Sequence, residues 1–128
     1  MTQEDKELLL QDLCGRLPYG VKIQTPTNCW TSEEGICELK EIFKGDDGLF
    51  RIGDVGALIE YSKPYLFPMS SMTKEQSNTY HELIKGMFGT GVLINIEILI
   101  DFFNKNHLDY RGLIPSGLAL NATGLNIY

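Results

Sequence analysis

Residues 36–52 carry the sequence ICELKEIFKGDDGLFRI, and this stretch decides the fold class because it predicts extended chain on both sides of a tight turn. Apolar and polar residues alternate in its first half, which predicts one strand face of Cys37, Leu39 and Phe43 and an opposite face of Glu38, Lys40 and Ile42. The run 44–48 is rich in Gly and Asp, which tolerate positive φ, and the apolar pattern resumes in 49–52. We therefore predict a β-hairpin near the centre of the chain.

Further strand patterns lie on both sides of this hairpin. Val21 and Ile23 alternate with polar residues, and the apolar run 57–61 follows two punctuating glycines. Residues 16–68 are therefore predicted to be β-rich, with four or five short strands. They would form either a small antiparallel sheet or an SH3-like, partly closed barrel, and the sequence leaves these two alternatives open.

The N-terminal segment 1–15 has the pattern of a short helix. Thr2 is a predicted N-cap and Asp5 lies in the first turn. Leu8, Leu9 and Leu13 recur at helical spacing before Gly15, where we predict that the helix ends.

A second helix is predicted to begin after Thr73, because the spacing from Thr73 to Gln76 is that of a capping box. One face of it carries apolar residues at helical spacing. These residues are Tyr80, Leu83, Ile84, Met87 and Phe88, and the helix is predicted to end at 89–91.

Residues 92–103 fit two patterns, since alternate isoleucines suggest a strand while polar residues recur at helical spacing. The polar stripe comprises Glu97, Asp101, Asn104 and Lys105. We predict a helix, which makes 69–107 a helical hairpin. Residues 108–128, rich in Gly and Asn, are predicted to form an irregular tail that lies over the core through Leu113, Ile114, Leu118 and Leu120.

Length and composition predict one α+β domain that spans 1–128, because 43% hydrophobic and 22% charged residues are ordinary globular usage. Seventeen acidic against 11 basic residues give a formal charge of −6. A field of that sign does not attract phosphate backbones, so nucleic acid is a disfavoured partner.

The three cysteines, Cys14, Cys29 and Cys37, form no CxxC pair and are odd in number, which predicts reduced and mostly buried thiols. The acidic N-terminal segment lacks the pattern of a signal peptide, and no apolar run has the length of a membrane span. We expect a cytoplasmic protein that does not associate with a membrane. The oligomeric state is open.

Three sequence segments resemble those of a known group of proteins. They are DLCGRLPYGV at 12–21, KPYLFPMSSMT at 63–73 and HLDYRGLI at 107–114. Together they resemble a family of small uncharacterised proteins encoded by gut Bacteroidetes, often in phage-like or mobile regions. The chain has Phe67 where that family commonly has Arg and Asn106 where it commonly has a second His. The resemblance implies the same order of elements and implies no activity.

Catalytic, cofactor and metal sites are not predicted. His81 and His107 lie on different predicted elements, and no metal-binding spacing accompanies them. The glycine-rich residues 86–91 lack the preceding strand and the Lys-Ser/Thr of a phosphate loop, so a helix-ending turn is the better interpretation.

His107, Asp109, Tyr110 and Arg111 are the candidate partner-binding residues. Tyr and Arg dominate interface hot spots, which favours an exposed recognition patch. The other interpretation, which we predict, is a structural clamp at 109–111, in which Arg111 pairs with a carboxylate and fastens the tail to the helical layer.

Three function classes follow from these observations. The first hypothesis is a non-catalytic binding or regulatory module that acts through contacts with an unknown protein, in a phage or mobile-element context. The second is a small β-barrel that binds nucleic acid through locally basic loops, with Lys22, Lys40, Lys44 and Arg51 as the candidate cations. The third and weakest is an enzyme whose site is assembled from distant residues.

Overall fold

The computed structural model describes residues 1–24, 35–53, 57–89 and 92–128, and the side chains of 86–89 and 92–95 lie outside that description. The chain has a mixed α+β architecture: an N-terminal helix, small two-stranded sheets and two C-terminal helices. In the described residues the strands do not close into a barrel, so the sheet alternative is the one that the chain adopts.

The first helix, α1, spans Gln3–Arg16. A capping box begins it, because Thr2 Oγ1 accepts a hydrogen bond from the Asp5 amide while the Asp5 carboxylate accepts one from the Thr2 amide. The helix continues past Gly15, contrary to our prediction, and ends at Arg16. Arg16 is fully buried, and its tertiary contacts favour the extra helical residue more than Gly15 opposes it.

The first two strands, β1 (Lys22–Gln24) and β2 (Ile36–Glu38), form an antiparallel pair. The next two, β3 (Ile42–Lys44) and β4 (Phe50–Ile52), form the predicted hairpin with Ile42 opposite Ile52. Gly48 occupies the turn with φ of +82°. The prediction of two opposite faces along 36–43 is wrong, because the chain changes partner between β2 and β3; Leu39 is buried whereas Phe43 is exposed.

The predicted strand at 57–61 is also different in the structure. Leu58 makes a single bridge to Arg51, and Ile59–Tyr61 forms a 3-10 turn. A local pattern of apolar residues is compatible with both conformations, and contact of this turn with α1 decides between them.

The proline-flanked segment 64–68 contacts three other parts of the chain. Its strand β5 (Tyr65–Leu66) pairs in parallel with β6 (Leu120–Asn121), so the tail contains one short regular element. Pro64 bridges to Ile23, and Phe67 bridges to Leu108. Leu66 is fully buried, which places this segment inside the fold.

The second helix, α2, spans Lys74–Gly89 and begins with the predicted Thr73–Gln76 capping box. The third, α3, spans Val92–Lys105 and packs against α2, which confirms the helical hairpin. The described members of the α2 stripe, Tyr80, Leu83 and Ile84, are half-buried; Met87 and Phe88 lie outside the described side chains.

One hydrophobic core collects side chains from α1, the strands and the tail. Its members include Leu9, Leu13, Ile23, Leu39, Ile52, Leu66, Leu113 and Leu118. Leu113 and Leu118 are buried as predicted for the tail. No helix in the described residues has the length and apolar character needed to span a membrane.

Two further predictions about burial are wrong. Asn104, placed on a polar stripe, is 4% exposed because it lies where α3 approaches Gly15 of α1. Cys14 is exposed and Cys37 is half-buried, since the apolar contacts of α1 are made by its other face; Cys29 lies outside the described residues.

Candidate functional site: an apolar groove and an ionic junction

A groove of about 380 Å³ lies between α1 and the turn of the β3–β4 hairpin. The apolar wall is formed by Leu10 of α1, by Leu58 and by Ile59, the first residue of the 3-10 turn. Leu49 and Phe50 form the opposite lip. We call this surface the α1–hairpin groove, and its volume falls in the range of ordinary ligand pockets.

The lip of the groove exposes large apolar side chains. Leu49 is 49% exposed and Phe50 is 39% exposed, and Phe43 of the same hairpin is 38% exposed. Gly48 permits the tight turn before Leu49, because its left-handed backbone conformation is one that favours glycine. The hairpin thus presents apolar surface beside a concavity.

Charged side chains border the groove without filling it. Lys6 Nζ lies 2.7 Å from Glu60 Oε2 and links α1 to the 3-10 turn. The hydrogen bond and the negative charge of Glu60 raise the pKa of Lys6. Gln3 and Glu7 lie on the same border, so an apolar wall is framed by both signs of charge and by an amide.

The predicted partner-binding residues lie elsewhere, in the loop that follows α3. His107 adopts a positive φ of 57° and is half-buried, and its ring stacks on Tyr128 with 3.8 Å between centroids. Burial lowers the pKa of His107 to about 4, and the positive charges of Arg16 and Lys22 act in the same direction. His107 is therefore neutral at neutral pH.

Asp109 is occupied by its own loop. Its Oδ1 accepts a hydrogen bond from the Leu113 amide at 2.8 Å, and its Oδ2 accepts one from the Ile114 amide at 2.9 Å. Asp109 is 7% exposed, so the carboxylate organises the start of the tail.

Tyr110 and Arg111 lie against the helical layer. The Tyr110 ring stacks on Phe103 of α3 at 5.0 Å, and the Arg111 guanidinium lies 4.8 Å from the centre of the Tyr110 ring. Arg111 Nε is 3.2 Å from Asp12 Oδ1, the carboxylate pairing that the clamp hypothesis requires. That contact is an ion pair by distance, but its geometry is not that of a hydrogen bond.

Asp12 and Arg16 complete this region, and our sequence interpretation did not select them. Arg16 Nε donates to Asp12 Oδ2 at 2.8 Å, Arg16 Nη2 donates to the Leu108 carbonyl at 2.7 Å, and both side chains are fully buried. The sequence contains a pattern that indicates their burial. The i, i+3, i+4, i+7 spacing of one buried helical stripe is that of Leu9, Asp12, Leu13 and Arg16. We call Asp12, Arg16 and Arg111 the ionic junction.

The four cations proposed for nucleic-acid binding belong to different elements. Lys22 is on β1 and Lys40 follows β2, whereas Lys44 and Arg51 are on the hairpin. Arg51 pairs with Asp47, and Lys44 lies 5.8 Å from the centre of the Phe50 ring. Within the described residues, no cluster of His, Cys, Asp and Glu side chains is arranged to hold a metal ion.

Comparison with known proteins adds no relative, because no family model, curated protein or solved structure matches this chain. The resemblance carried by the three sequence phrases therefore stays a prediction.

Proposed function

We propose that this protein is a non-catalytic binding module whose α1–hairpin groove takes a short apolar segment of a partner protein. The observation that carries the proposal is the pair Leu49 and Phe50, exposed at the lip of a concavity whose opposite wall is also apolar. Exposed apolar surface next to a concave site favours protein contacts, because burying it on binding is energetically favourable.

The border of the groove supports a peptide segment as occupant. The side chains of Gln3, Glu7 and the Lys6–Glu60 pair supply hydrogen-bonding groups around an apolar wall. An apolar anchor with a polar rim is the usual arrangement of a protein interface. The proposed occupant is therefore a segment with one or two large aliphatic or aromatic anchors and polar residues beside them.

Protein binding fits the described surface better than nucleic-acid binding. The chain carries a net charge of −6, and Arg51, one of the four candidate cations, is paired with Asp47. The phage or mobile-element context rests on the sequence resemblance alone and remains part of the hypothesis.

Selection of peptides from a random display library tests the proposal. We expect the protein to enrich sequences with large apolar anchors, and we expect Leu49→Glu to weaken a selected peptide by at least about tenfold. Losing one buried leucine contact costs about 1.5–3 kcal/mol, which corresponds to that factor.

Leu125→Glu is the matched control, because Leu125 is 48% exposed, receives the same substitution and does not line the groove. This variant should bind the selected peptide like the parent. Equal loss in both variants, or enrichment of sequences without apolar anchors, would contradict the proposal.

A further inference from the structure

Buried polar atoms without a partner gather around the ionic junction. Among the described residues, the buried side-chain nitrogens and oxygens that lack a hydrogen bond all belong to one region. They are Asp12 Oδ1, Arg16 Nη1, Asn104 Oδ1, His107 Nδ1, Tyr110 Oη and Arg111 Nε. Asp12 Oδ1 and Arg111 Nε form an ion pair at 3.2 Å, and Asn104 Oδ1 is an acceptor. Buried polar groups are normally paired, so the remaining donors, Arg16 Nη1 and Tyr110 Oη, indicate a missing acceptor.

The charges of the junction do not balance. Two guanidinium groups, Arg16 and Arg111, share the single carboxylate of Asp12. Asp109, two residues before Arg111 in the sequence, accepts hydrogen bonds from backbone amides at both oxygens and pairs with neither arginine. A water molecule would supply hydrogen bonds but no negative charge, whereas an oxyanion supplies both.

The two guanidinium groups also lie near one aromatic ring. Arg16 Cζ is 5.5 Å and Arg111 Cζ is 4.8 Å from the centre of the Tyr110 ring. Arg16 is completely buried, whereas the side chain of Arg111 is 21% exposed. Because the side chain of Arg111 is partly exposed, an anion from solvent can reach its guanidinium group at the open end of the junction.

We propose that the ionic junction is a binding site for a small oxyanion, a carboxylate or phosphate group held by Arg111 at the open end and by the unpaired Nη1 of Arg16 at the buried end. Planar guanidinium groups match the geometry of both oxyanions. Tyr110 Oη is a further donor in the same region, and the neutral ring of His107 adds no competing charge.

Titration with inorganic phosphate and with malonate, each against sodium chloride at matched ionic strength, tests the site. We expect saturable changes in the amide resonances of Tyr110 and Arg111 and in the ring resonances of His107. The ring of His81, which is exposed on α2, should not respond. A probe that binds, whether phosphate or malonate, should have a Kd of about 1–10 mM.

Arg111→Gln should weaken the oxyanion by about tenfold or more, because it removes a charge-assisted donor. Arg51→Gln is the matched control, since Arg51 also pairs with an aspartate, Asp47, and its side chain is 30% exposed. Arg111→Lys should bind the oxyanion more weakly than the parent but still measurably, because lysine keeps the charge and lacks the planar guanidinium group. This variant replaces Arg111→Gln in the test if the Gln variant does not fold.

The two probes distinguish the sources of the oxyanion. Saturation by phosphate alone assigns a phosphate group, saturation by malonate alone assigns a carboxylate, and both results support the site. The proposal is overturned if neither probe saturates, or if Arg111→Gln and Arg51→Gln bind equally well. Leu49→Glu should bind the oxyanion like the parent, which keeps this test separate from that of the groove.

Discussion

The chain contains two Asp-to-Arg pairs with the same spacing in two different places. Asp12 and Arg16 lie four residues apart within α1, with both side chains fully buried. Asp47 and Arg51 lie four residues apart across the hairpin turn, with side chains 46% and 30% exposed. The residue types and separation are identical, so any difference in their effect on stability comes from the surroundings.

The surroundings of the two pairs give them different roles. Arg16 also donates to the Leu108 carbonyl, so the buried pair connects α1 to the loop after α3. The side chains of the hairpin pair are partly exposed, so water and salt screen their attraction. Identical short-range patterns thus produce a tertiary connection in one case and a local turn contact in the other.

The largest expected effect comes from removing the buried cation. Arg16→Met should reduce the free energy of unfolding by about 3–5 kcal/mol, because it leaves the Asp12 carboxylate buried with a poorly aligned partner. Urea unfolding followed by circular dichroism measures the change. Arg51→Met is the matched substitution in the more exposed pair and should lose much less stability than Arg16→Met. Similar losses in both would remove the distinction between the pairs.

A smaller effect is expected at the open end of the junction. Arg111→Ala should cost about 1–3 kcal/mol and lower the melting temperature by several degrees, because Asp12 Oδ1 loses its nearest cation. Differential scanning calorimetry measures the shift. A variant that melts like the parent would show that Arg111 does not fasten the tail to α1.

The third effect is a pH dependence that reports on the same region and is absent at neutral pH. The pKa of His107 is lowered to about 4 in the folded protein from an ordinary 6.5, so the unfolded chain binds a proton that the folded chain does not. The contribution of His107 to the free energy of unfolding is therefore fully present above pH 6.5 and is lost as the pH falls toward about 4.

His107→Asn isolates this contribution, because asparagine tolerates the positive φ at 107 but does not titrate. Melting temperatures measured between neutral pH and about 4 should fall more steeply for the parent than for the variant. His81→Asn should follow the parent. Parallel curves for the parent and His107→Asn would show that the ring does not remain neutral in the folded state.

Local patterns in the sequence predicted most of the regular elements. The Thr73–Gln76 capping box, the turn at 44–48 and the apolar spacing along α2 depend on neighbours in sequence, and the structure contains all three features. The split of 36–43 into β2 and β3 and the parallel pairing of β5 with β6 depend on partners far along the chain, which no local pattern encodes.

The candidate sites also depend on residues that are distant in sequence. The α1–hairpin groove combines Leu10, Leu49 and Ile59 from three separate elements, so no single stretch of sequence indicates it. Within the ionic junction, the helical stripe that includes Asp12 and Arg16 can be recognised in the sequence. The contact between Asp12 and Arg111 joins residues almost a hundred positions apart, so no local pattern predicts it.

The most direct test is the affinity of a groove-selected peptide for Arg111→Ala and Leu49→Glu, measured well below both melting temperatures. We expect fold stability to depend on the junction and peptide binding to depend on the groove. Arg111→Ala should therefore bind the peptide within about twofold of the parent although it melts several degrees lower, whereas Leu49→Glu should lose at least about tenfold in affinity at an unchanged melting temperature. Loss of the peptide by Arg111→Ala, with full retention by Leu49→Glu, would contradict this expectation and would make the loop after α3 the binding surface.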